Sequence, residues 1–171
     1  MTSLDRIFVD CSVRRLRQNV DRIDKCVGRL TEEQVWVRGH ESENTVGNLL
    51  LHLAGNVRQW IISGVGGTPD TRDRDSEFNA QAGPSKTELV ASLRATVEEA
   101  CGVIEPLTAE RLAATVHVQK YDLTVMEAIY HVVEHFAQHT GQILFVTKML
   151  TGEELGFYSH LKRPSHGEKT P

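Results

Sequence analysis

Cysteine is scarce in this chain: Cys11, Cys26 and Cys101 are odd in number and far apart among 171 residues. Such spacing excludes a disulfide framework and a cysteine-rich metal site, and fits reduced thiols carried on helices. A basic surplus is also missing. Nineteen Lys and Arg against twenty-three Asp and Glu leave a formal charge of −4, so no nucleic-acid or membrane partner is expected. Nor is there a long apolar run at the start. The opening MTSLDRIFVDCSVRRLRQ is broken every few residues by charge, which fits neither a signal peptide nor a membrane span and makes a cytoplasmic protein the expectation. Strand-like alternation is confined to Val116 and Val118, enough for a short hairpin ahead of Thr124.

What remains is helical pattern. A hydrophobic share of 40% with 25% charged residues is ordinary for a globular protein, and the length suits one domain with a real core. The expected domain covers residues 1–159, followed by a tail over 160–171. Val9, Val13, Leu16, Val20, Ile23, Val27 and Leu30 recur at spacings of four and three, the signature of a long helix with one apolar face. Thr31 to Gln34 reads as a capping box opening a short turn that carries Trp36. Asn44 is the expected N-cap of a second helix with Val46, Leu49, Leu50, Leu53, Val57, Trp60 and Ile61, ending at Gly64. Residues 64–84 are rich in Gly, Pro and charge without a period, and read as a long loop. Ser85 with Glu88 opens a third helix that Pro106 stops. Thr124 with Glu127 opens a fourth. The expected fold class is therefore all-α, a four-helix bundle. Because a helix, a Leu-Thr-x-Glu turn, a linker and a helix occur twice, an internally duplicated helix pair is part of the expectation.

The chemistry concentrates in HVVEHFAQHTGQ, residues 131–142, with His131, His135 and His139 at steps of four. At about 100° per residue, side chains four apart stack on one face, so two imidazoles one turn apart can address one ion. His52, a polar ring in the apolar run Leu49 to Ala54, is the candidate for a third ligand from another helix. Angular drift of about 40° per step sets His131 further from the apolar stripe than His135, toward solvent. His40, His117, His160 and His166 read as surface residues. HVVEH also fits the inverted zincin pattern, with Glu134 as general base, but that pattern needs a further downstream carboxylate on a much larger scaffold.

The runs NTVGNLLLHLAGNVRQWI, RDRDSEF and HVVEHFAQHTGQI together resemble the DinB-like (YfiT-like) helical-bundle metalloproteins, over nearly the whole chain. The resemblance implies a four-helix bundle with a divalent metal ion, zinc or nickel, held by His52, His135 and His139, and a homodimer. It also implies a metal-dependent enzyme acting on a small-molecule substrate, by hydrolysis or by transfer of a low-molecular-weight thiol. Glu134, Gln138 and Thr140 depart from residues common around the paired histidines of relatives. Arg72 and Arg74 are candidates to bind the carboxylate of a thiol cofactor, against a competing reading in which they pair with Asp73, Asp75 and Glu77. Three neutral imidazoles leave a coordination position open, as catalytic sites do. The competing class is a non-catalytic protein whose metal is structural.

Overall fold

A computed structural model describes residues 3–157. The expected tail, with His160 and His166, lies outside the described residues. The chain is predominantly helical. Helix α1 spans Leu4–Val27 and buries the expected stripe from Val9 to Val27. Thr31 caps the short α2, Glu32–Trp36, through a complete capping box with Gln34. Helix α3, Val46–Val57, starts one residue later than Asn44 would place it: Thr45 is the N-cap, in a box with Asn48. The difference is geometric, because Thr45 Oγ1 accepts from the Asn48 amide at 3.0 Å while the Asn48 carboxamide accepts back from the Thr45 amide at 3.1 Å.

Beyond Val57 the helix does not stop at Gly64 but widens into a π-helical segment, Arg58–Val65. Its exit retains the wide spacing, with the Gly66 amide donating to the Ile61 carbonyl at 2.8 Å. The region expected to be one long loop is further divided by α4, Arg74–Asn79, whose N-cap Asp73 accepts from the Ser76 amide. One turn of helix carries too little apolar pattern to be seen in the sequence. Ser85 then caps α5, Lys86–Ile104, and Thr108 caps α6, Ala109–Ala113. The hairpin is present as β1, Thr115–Val118, antiparallel to β2, Tyr121–Thr124, with Thr115 opposite Thr124. Helix α7, Val125–Thr151, opens on the Thr124–Glu127 box and ends at Gly152, whose φ of 68° is the left-handed conformation favoured at a helix C-terminus.

Four long segments surround the core, α1 against α5 and α7, and α3 against the same two. Contacts fix their directions. Arg29, just past α1, pairs with Glu153, just past α7, at 2.9 Å, so those two helices run parallel. Arg6 near the start of α1 donates to the Glu105 carbonyl at the end of α5 at 2.8 Å, so α5 runs the other way. Facing helices α3 and α7 are antiparallel, because His52 meets His139 and Trp60 meets His131. No helix among the described residues is long and apolar enough to cross a membrane.

Candidate metal centre

The antiparallel pairing of α3 with α7 brings His52 to the two histidines one turn apart. His52 Nε2 lies 3.0 Å from His135 Nε2, and His139 Nε2 lies 3.1 Å from the same atom. One ligand atom from each of the three lies within 4.8 Å of the others. Nitrogens bound at about 2.0–2.1 Å to a tetrahedral ion stand about 3.3 Å apart, so the spacing is close to that of a ligand set. Hydrogen bonding alone does not account for it. A ring nitrogen carries one proton or one lone pair, so His135 Nε2 can bond only one of its two neighbours, and the other contact sets like groups face to face. A cation accepting three lone pairs removes that conflict, and the residues present therefore fit a divalent metal ion.

The far nitrogens are held differently. His139 Nδ1 is 2.6 Å from Gln142 Oε1. His52 Nδ1 is 3.0 Å from Glu77 Oε2 and 3.0 Å from Arg72 Nη2. His135 Nδ1 is buried without a hydrogen-bond partner among the described residues. Burial pushes the His135 imidazole down to about 3, assisted by the charges of His139, His52, His131 and Arg72. Burial also lowers His139 against the opposing contact with Gln142. The lowered pKa values keep His135 and His139 neutral at pH 7, the form that ligates a metal.

His131 does not face open water as its angle on α7 suggests. It is half-buried, its ring centroid 4.2 Å from that of Trp60, and burial lowers its pKa despite Glu134. A neighbouring segment covers that flank of α7: Trp60 reaches over it from the π-helical turn. His131 stands outside the group of three, 5.6 Å from His135 between ring centroids. Glu134 is exposed, as are His40 and His117.

Arg72 and Arg74 both line a pocket of about 520 Å³ that also receives His52, His131 and His135. Arg72 is buried, its side chain 4% exposed, and grips Glu77 with two hydrogen bonds of 2.7 Å. Its remaining nitrogen donates to Gln59 Oε1 at 2.9 Å. Arg74 instead lies over the Phe78 ring at 4.8 Å, and Phe78 stacks on His52 with centroids 4.6 Å apart. Trp60, Tyr121 and Asn56 complete much of the wall. Sequence reasoning gave Glu77 only as a loop ion-pair partner and Trp60 only as core. The signal for Glu77 was its presence in the RDRDSEF run, which lacks the periodicity that would have placed it on a helix facing His52. Burial works to raise the Glu77 carboxyl, but the hydrogen bonds from Arg72 and His52 outweigh it and hold the group below its ordinary value.

The chain has the helical fold of a DinB-like protein and carries three side chains able to hold a metal ion. The chain belongs to the family described as protein of unknown function, DUF1572, whose model matches residues 3–162. Among solved structures it is similar to a conserved protein from Enterococcus faecalis, with a TM-score of 0.74 and 14% identity over 84% of this chain and 97% of that one. It is also similar to a DinB-like protein, YjoA, from Bacillus subtilis, with a TM-score of 0.65 and 16% identity over 86% of this chain and 96% of that one. No curated protein matches.

Proposed function

We propose that the chain binds one divalent ion, zinc or nickel, through His52, His135 and His139, and acts there on a small molecule by hydrolysis or by transfer of a low-molecular-weight thiol. The observation that carries this reading is the convergence of three imidazole Nε2 atoms beside a pocket of about 520 Å³ whose wall includes His52 and His135. An ion held by three neutral ligands keeps its charge and an open position, and supplies Lewis acidity to an oxygen or sulfur group. The protein supplies orientation and shape. Gln142 engages the far side of His139, and the Trp60 and His131 rings shield one flank of the site from water. Arg74, at the pocket wall and in no ion pair among the described residues, is the cation available to a substrate or cofactor carboxylate.

A pocket opening onto His52 and His135 supports the catalytic reading over a structural metal, whose sites are closed. The order of α1, α2 and α3, echoed by α5, α6 and α7, supports a duplicated four-helix bundle. Exposed Tyr130, Phe145 and Met149 on α7 support a homodimer. The test is elemental analysis of protein purified without a histidine tag, followed by assays of the loaded protein with activated esters and with thiols plus a chromogenic electrophile. About one ion per chain and turnover lost in His139→Ala is the expected result. A stoichiometric ion without turnover would favour the structural alternative.

A further inference from the structure

We infer that Arg72 and Glu77 form a two-position device that sets which nitrogen of His52 carries its proton, and so decides whether Nε2 is free to ligate. The inference rests on the metal reading above and deepens it. His52 Nδ1 has a donor and an acceptor at equal range, Arg72 Nη2 and Glu77 Oε2, both at 3.0 Å. Either tautomer is therefore satisfied on that side. With the proton on Nδ1, it is donated to Glu77, and Nε2 presents a lone pair to an ion. With the proton on Nε2, Nδ1 accepts from Arg72 while Nε2 donates to His135 Nε2, 3.0 Å away. The first arrangement is the metal-holding one; the second keeps the ring in place without an ion.

The pair is built to stay in register. Its side chains are buried, and all three guanidinium nitrogens have acceptors in Glu77 and Gln59, which a buried ion pair requires to offset its desolvation. Arg72 Nη2 also approaches the His52 carbonyl at 3.5 Å. Asn48 donates to the carbonyls of Glu77 and Ala80, at 2.8 Å each, and so ties the C-terminal end of α4 to α3. Gly55, one turn beyond His52, leaves bare backbone under the pair: a Cβ there would collide with the Glu77 carboxylate and crowd Arg72 Nε. None of these features contributes a metal ligand. All of them hold a carboxylate and a guanidinium against one imidazole nitrogen.

Histidine tautomers are read directly by two-bond 15N–1H correlation in labelled protein, with and without zinc. The expected result is a change at His52 from the Nε2–H form in ion-free protein to the Nδ1–H form on loading. The same tautomer in both states overturns the inference. Zinc affinity, measured by competition with a chromophoric chelator, is expected to fall about 10 to 100-fold in Glu77→Gln, with His52 in the Nε2–H form before loading. Unchanged affinity in folded Glu77→Gln overturns the inference while leaving the three-histidine site standing. Should that variant not fold, the wild-type tautomer comparison decides alone. If wild-type protein binds no zinc, both the metal reading and this inference fall.

Discussion

At the residue scale, three histidines on one helix face have three different surroundings, and the differences are testable. His135 Nε2 sits between the Nε2 atoms of His52 and His139, the His139 Nδ1 side faces Gln142, and His131 packs on Trp60. Alanine at 135 or 139 is expected to abolish stoichiometric zinc binding, while His131→Ala retains an ion with altered affinity; comparison of the three by elemental analysis checks the assignment. His135 also implies a pH dependence. Its folded pKa of about 3 lies below the unfolded value of about 6.5, so between those values the unfolded chain binds the proton that the folded one refuses. Stability of ion-free protein is therefore expected to fall as pH drops from about 6.5 toward 3, and to be nearly independent of this group above that range. Urea midpoints across that window should decline less steeply in His135→Gln. Spacing made all three histidines visible in the sequence, and angle alone could not rank them, since a flank is wet or dry according to what the neighbouring segment lays over it.

Elements were legible where a cap and a period coincided. The boxes at Thr31, Ser85 and Thr124 appear where Ser or Thr precedes Glu or Gln by three residues. The box at Thr45 closes through Asn48, outside that pattern, and it displaced the start of α3 from Asn44. Thr45→Ala is expected to cost about 0.5–2 kcal/mol of unfolding free energy, and Asn44→Ala within about 0.5 kcal/mol of nothing, as read by chemical denaturation. The widened turn at Arg58–Val65 and the single turn at Arg74–Asn79 were not legible, because a π-helical register shift leaves no compositional mark and six residues hold too little periodicity. Packing between elements adds a third test. A Cβ on Gly47 would come within 2.6 Å of the Trp36 ring, which is too rigid to yield, so Gly47→Ala is expected to cost about 1–3 kcal/mol by overpacking.

For the whole molecule, the apolar core does not depend on the histidine group. Val9, Leu16, Ile23, Leu53, Ile61, Leu93, Ile104, Ile129 and Phe136 are buried from all four long segments. Treating zinc-loaded protein with a chelator is therefore expected to leave the helical circular dichroism intact, unlike a domain folded by its metal. Returning zinc at about 100 times its Kd should stabilise the fold by about 2.7 kcal/mol, seen as a rise in Tm. The three histidines are also divided along the chain. His52 belongs to the first half, before the exposed Gly83, and His135 and His139 to the second. A chain severed at Gly83 would leave one fragment with a single imidazole and the other with two, neither able to close the set. Each piece would need its counterpart, and zinc would serve as the rivet between them, making reassembly of the severed protein dependent on the metal concentration.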